Sequence, residues 1–272
     1  MPVLPPIERI LFLDIETAPL YRELEKVPEP LRTYWLDRYN SRRKSSDDRD
    51  DETFFIEESG IHALYSRVVC IGLGFFSREG ADWRWRNIIL KDLHEEKLLQ
   101  AFVEKWNKSA HCFGKKSLSS PPQEPVWAVC GHNIRNFDLP FLGRRLVLNK
   151  LPLPPFWRAA QDSQPWQLKD PAVIDTMLLW SFTSWESGRY IPLEMLAYAV
   201  GIPFQKSLTH TDIREAFYRW KEDGDESVFA PVVQYCLQDV RITAEIFVRL
   251  QMPPAEQESL LQALHKPSHP AP

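Results

Sequence analysis

Hydrophobic and polar positions change period along this chain, and the changes mark out its elements. Ile10 to Ile15 is an apolar run interrupted only by Asp14, preceded by prolines and followed by Thr-Ala-Pro, and it predicts a buried central strand. Val68 to Phe76 and Asp82 to Leu90 predict a second and a third strand, which with the first suggest a β-meander. Glu95 to Trp106 has the spacing of an amphipathic helix. Val126 to Cys130 reads as a fourth strand, followed by a helical stretch from Leu139 to Leu148. Ala172 to Asp175 reads as a fifth strand, with a helix starting over Thr176 to Ser181. Pro192 to Val200 predicts a short helix stopped by Gly201. From roughly Ser227 to Leu250, the residues Phe229, Val232, Val233, Cys236, Val240, Ile242 and Ile246 recur at helical spacing.

Between these elements the pattern weakens. Tyr21 to Tyr39 is rich in Leu, Tyr and charge, and Ser41 to Glu52 is charged enough to predict a mobile loop. Lys108 to Pro125 reads as a linker-like insertion, and Pro152 to Gln167 as an ordered loop packed by its aromatics. The expected organisation is one α/β domain over residues 1–252, with polar insertions near 41–60 and 108–125. Residues 253–272 would form a C-terminal tail, partly disordered.

Three short stretches carry the candidate chemistry: Asp14-Ile15-Glu16, Asn133 to Asp138, and Tyr235 to Asp239. On a strand, positions i and i+2 point to one side, so Asp14 and Glu16 would project together. Tyr235 and Asp239 lie four apart and would share a helix face. Asp138 would sit where strand gives way to helix, and strand ends are where α/β folds build their sites. Together these residues supply the four acids and the tyrosine that a two-metal nuclease site requires. Such a site uses two divalent ions about 4 Å apart to activate water, neutralise the leaving oxygen and hold the phosphate in line. Carboxylates hold such hard ions.

The set resembles the three motifs of the tyrosine-bearing DEDD exonucleases, the DEDDy group. Gly131 to Arg145 is similar to the second exonuclease motif of family B DNA polymerases, and Tyr235 to Val240 to their third. The chain resembles the stand-alone exonucleases related to that proofreading domain, over roughly residues 7 to 250. The resemblance implies a ribonuclease H-like α/β fold with a mixed five-stranded sheet flanked by helices. It also implies two divalent cations, Mg²⁺ or Mn²⁺: Asp14, Glu16 and Asp239 would hold one, and Asp14 would bridge to a second that Asp138 supports. Tyr235 would orient the attacking water. Thr17, Asn133 and Phe137 would line the path of the terminal nucleotide; the alternative is that Phe137 is core and Asn133 caps a turn. The implied activity is 3′→5′ removal of nucleoside 5′-monophosphates from single-stranded DNA or DNA ends. An exoribonuclease and a non-catalytic nucleic-acid-binding module are the alternatives. No polymerase segment is visible, so proofreading would need a polymerase or repair partner in trans.

Other polar residues are less telling. Arg144 and Arg145 could touch phosphate or simply lie on a helix surface, and Asp175 reads as a cap or supporting group. Lys206, His210 and His132 are candidates for phosphate or end recognition, against a solvent-exposed alternative. Trp83-Arg84-Trp85-Arg86 suits a base-stacking platform, yet a half-buried strand gives the same alternation. The formal charge of −4 argues against tight binding to long duplex and favours a short grip on a single-stranded end. With 44% hydrophobic residues in 272, the chain can bury one sizeable core. The four cysteines follow neither disulfide nor metal spacing, and no apolar run approaches a membrane span. A reduced, cytoplasmic setting is therefore expected.

Overall fold

Five strands, each where the hydrophobic pattern predicts one, form the mixed sheet that the resemblance implies. The computed structural model describes residues 4–38, 43, 46–113, 126–162, 171–182, 190–203 and 207–266, with the backbone of 269–270. Strands β1 (Ile10–Pro19), β2 (Ser66–Glu79) and β3 (Asp82–Lys91) are an antiparallel meander. Strands β4 (Ala128–Gly131) and β5 (Ala172–Asp175) extend the other edge in parallel, giving the order β5-β4-β1-β2-β3. A two-residue segment, β6 (His269–Pro270), pairs alongside Arg86 and Asn87 at the outer edge.

Alternation along β1 sends its side chains to two cores. Leu11, Leu13 and Ile15 face helices α3 (Glu95–Phe113) and α4 (Asp138–Leu148), packing on Leu98, Phe102, Phe141 and Leu142. Ile10 and Phe12 face α9 (Ala230–Gln251) and α10 (Pro254–His265), packing on Val240, Phe247, Leu260 and Leu264. Asp14 and Glu16 continue the second row, so strand periodicity aims them at α9. Gly72 and Gly74 let that helix approach: a Cβ at Gly72 would come within 2.8 Å of Val240 and 2.9 Å of the Cys236 sulfur.

Several expectations need correction. Ser41 to Glu52 is not loop throughout, because α2 (Asp51–Glu58) begins inside it, with the Asp50 carboxylate accepting from the Thr53 amide as an N-cap. Within Pro152 to Gln167, Pro155–Asp162 forms α5 and buries Phe156 and Trp157; two turns are too few to show a period. Within 253–272, α10 covers the row of Trp83 and Trp85, leaving them 7% and 4% exposed. These tryptophans are therefore core, and the half-buried-strand reading holds. Lys108 to Phe113 extends α3, while 114–125 lies outside the described residues, as does Lys206. The remaining helices are α1 (Glu29–Arg38), α6 (Thr176–Ser181), α7 (Leu193–Ala199) and α8 (His210–Asp223). A Thr209/Asp212 capping box starts α8. Among the described residues no helix is long and apolar enough to cross a membrane.

Candidate active site

The acids meet where β1 outruns its parallel neighbour. Pairing with β4 stops at Phe12, which leaves the Ile15 amide without a strand partner on that side, and a backbone donor enclosed there must be satisfied. The Asp138 carboxylate, at the first position of α4, accepts from it at 3.2 Å. On the α9 side, the Cys236 thiol lies 3.7 Å from Asp14 Oδ2 and 3.8 Å from the Asp14 carbonyl. Ligand atoms of Asp14, Glu16 and Cys236 all fall within 4.8 Å of one another. Tyr235 and Asp239 sit one turn apart on the same helix, 8% and 7% exposed.

Crowding of carboxylates shows in their proton affinities. Burial pushes the Asp14 carboxyl well above the usual range, and the charges of Glu16, Asp138 and Asp239 push it further; a hydrogen bond from Cys236 opposes them. Asp138 is raised to about 7, chiefly by burial, against the amide hydrogen bonds it accepts from its own backbone and Ile15. Burial raises the Tyr235 phenol too, followed by the charges of Asp239, Glu16 and Asp14 and a hydrogen bond with Asp239. Tyr235 is thus a neutral hydroxyl among acids, available as a donor.

This donor set fits a divalent cation. Four carboxylates with mutual repulsion offer hard oxygens and gain from a cation placed among them. The Cys236 sulfur is near enough to join that set, but it is a softer donor than the carboxylates and suits the hard ions they hold less well. Burial, followed by its hydrogen bond and charge interaction with Cys70, raises the thiol well above its usual value, so it stays protonated and donates toward Asp14.

A pH effect follows from Asp138. Its folded carboxyl holds a proton to about 7 against an ordinary 3.8, so its contribution to stability is full below about pH 4 and lost as pH rises through about 7. In EDTA, the melting temperature of the wild type should fall more steeply from about pH 5 to about pH 8 than that of Asp138→Asn, by the equivalent of roughly 2–4 kcal/mol. Parallel curves would refute the assignment.

Around the cluster, most polar side chains build the scaffold. Asp175 caps α6 through the Met177 amide and also accepts from the Asn133 and Arg135 amides, bracing the loop that leads to Asp138. Asn133 adopts a left-handed φ of 57°; its carbonyl accepts from the Asn136 and Phe137 amides, and its side-chain oxygen from Asn136. Phe137 packs on Phe141, ring centres 5.5 Å apart. Thr17 donates its hydroxyl to the Gly60 carbonyl at 2.7 Å. His132 is not solvent-exposed, since its ring nitrogens contact Thr176 Oγ1 at 3.0 Å and the Ile191 carbonyl at 2.7 Å. His210 lies exposed at the start of α8. Arg145 is buried against Glu95 and unable to reach a strand, whereas Arg144 is exposed. Arg144 lines an apolar cavity of about 380 Å³ with Val147, Phe156 and Trp157, between α4 and α5 and apart from the acids. Sequence reasoning missed the Cys236 contact with Asp14, because a cysteine in an amphipathic helix reads as core.

No curated protein sequence matches the chain. A family model does match residues 53–251, a span that takes in Asp138, Tyr235 and Asp239 and begins after β1. With more than half its length covered by that model and its sheet order as described, the chain belongs to the RNase H superfamily.

Proposed function

We propose that this protein is a metal-dependent 3′→5′ exonuclease that trims single-stranded DNA or DNA ends to nucleoside 5′-monophosphates. The observation that carries the reading is the convergence of Asp14, Glu16, Asp138 and Asp239 on the middle of β1, just past its pairing with β4, with the Tyr235 hydroxyl among them. Asp14, Glu16 and Asp239 would hold one divalent cation, and Asp14 with Asp138 a second. When bound, Mg²⁺ or Mn²⁺ would supply an acidified water and a charge clamp for the phosphodiester. Tyr235 keeps its proton and donates it to the attacking water or the scissile phosphate as a hydrogen bond, fixing the line of attack. Near-complete burial of Glu16, Asp138 and Asp239 beside the half-buried Asp14 lowers the local dielectric and strengthens each of these contacts. Polarity and the preference for DNA rest on the motif pattern, which the DEDDy exonucleases share.

The test is a time course with 5′-labelled DNA and RNA of one sequence in Mg²⁺, Mn²⁺ and EDTA. A metal-dependent ladder shrinking from the 3′ end is expected, faster on DNA. Tyr235→Phe should lower kcat roughly 10²-fold with little change in metal dependence, since it removes one positioned hydroxyl and no carboxylate. Strands bound but uncut in every metal would support a binding module instead, and faster shortening of RNA would move the substrate to RNA.

A further inference from the structure

The sheet face that carries Asp14 and Glu16 continues past a bulge between Glu16 and Thr17 to Ala18, which pairs with Arg67 of β2. Arg67 is half-buried, its guanidinium carbon 5.5 Å from the centre of the Phe217 ring on α8. Its Nε is enclosed with no hydrogen-bond partner. Arg22 and Arg214 gather at the C-terminal end of β1, around Tyr218, whose hydroxyl donates to the Pro19 carbonyl at 3.0 Å. Burial raises the Tyr218 pKa, and Arg214, Arg67 and Arg22 act against it.

Two of these three arginines are answered by acids. Arg22 pairs with Glu222 at 2.5 Å and Glu215 at 3.5 Å, and Arg214 pairs with Glu215. Arg67 forms no ion pair among the described residues. Enclosing a guanidinium donor with nothing to accept its proton is unfavourable, and folded proteins retain few such groups. Arg43, Arg135 and Arg214 also have an enclosed, unpartnered Nε, but their Nη atoms donate to protein oxygens, whereas Arg67 has no guanidinium hydrogen bond among the described residues; a phosphate suits the planar fork of an arginine stacked on a ring. Glu16 and Ala18 are two residues apart, roughly 7 Å along a strand, a separation on the order of one nucleotide step. In a chain of net charge −4, Arg67 is thus a cation without an acidic partner among the described residues, on the sheet face that carries Asp14 and Glu16.

We infer that Arg67, stacked on Phe217, is a substrate-positioning residue that binds the backbone phosphate next to the phosphodiester being cut. The inference rests on the nuclease reading. Arg67 fixes the register of the strand, so that the terminal linkage lies over Asp14 and Glu16.

Binding of a fluorescein-labelled oligothymidylate, followed by anisotropy in Ca²⁺ over a series of KCl concentrations, tests this. Arg67→Ala should weaken binding roughly tenfold and reduce the salt slope by about 0.7. Lys97→Ala, which removes the same charge from the α3 side of the sheet, should do neither. Equal affinity and slope for Arg67→Ala and wild type, or an equal loss in Lys97→Ala, would overturn the inference. Should Arg67→Ala fail to fold, Arg67→Lys decides: weaker binding at an unshifted slope supports the forked contact, and unchanged affinity refutes it. The p-nitrophenyl ester of thymidine 5′-monophosphate, with one phosphodiester and no neighbouring phosphate, separates the two readings. Arg67→Ala should raise KM about tenfold more on a strand than on the ester. If the wild type cuts neither, the nuclease reading falls while strand binding still judges Arg67.

Discussion

Asp14→Asn should abolish shortening of a labelled strand and, in EDTA at about pH 8, leave the protein more stable than the wild type by roughly 1–2 kcal/mol. Both effects have one cause. Asp14 is half-buried beside Glu16, Asp138 and Asp239, and its carboxyl is raised well above the ordinary range. A raised carboxyl stabilises the fold at low pH and loses that contribution as pH rises, so above neutrality the carboxyl is a liability to the metal-free fold that an uncharged amide does not carry. Asparagine keeps the shape and removes the charge. It also removes the carboxylate that the proposed function assigns to both cations, and added Mg²⁺ should then raise the melting temperature of the wild type far more than that of the variant. An Asp14→Asn protein that cuts at the wild-type rate, or melts below the wild type in EDTA, would refute this account of the cluster.

Arg145→Ala should destabilise the chain by roughly 3–5 kcal/mol, the largest stability loss expected of a residue outside the acidic site. Arg145 and Glu95 form a forked pair with side chains 7% and 2% exposed, Nε to Oε1 at 2.8 Å and Nη2 to Oε2 at 2.5 Å. The pair also ties three segments together. Arg145 donates to the Ala63 carbonyl, and Glu95 accepts from the Val68 amide and the Asn149 side chain. Removing the guanidinium leaves a buried carboxylate without its counter-charge. Arg145→Met combined with Glu95→Gln should recover most of the loss, because the glutamine still accepts from Val68 and no charge remains. Urea midpoints measure both, and a drop below about 1 kcal/mol for Arg145→Ala would mean that water reaches Glu95.

How much of this was legible in the sequence follows from the range of each interaction. The five strands and α9 declare themselves by period, and strand alternation alone aims Asp14 and Glu16 to one side. Short helices do not: α5 has two turns, and α10 opens on Pro253 and Pro254, which read as a break although proline suits a helix start. Residues that pair across the fold were also illegible. Arg145 looks like any surface arginine until Glu95, fifty positions earlier, is placed beside it. Asp138 was identified as a candidate, yet its hold on the Ile15 amide depends on β4 ending short of β1. Arg67 carried no motif at all.

Asp14 and Cys236 touch across 222 residues, because the site is built from the first strand and the last helix to pack over it. Contacts this distant in sequence are slow to form, because the long loop between them must be closed before they reward it. During synthesis, β1 emerges early and waits with its two acids while every other strand of the meander and both parallel strands are made. Only when α9 docks do Tyr235 and Asp239 arrive. Cutting competence would therefore appear in one step at the end of folding, and a nascent chain would pass through its assembly without exposing a working nuclease to the nucleic acid around it.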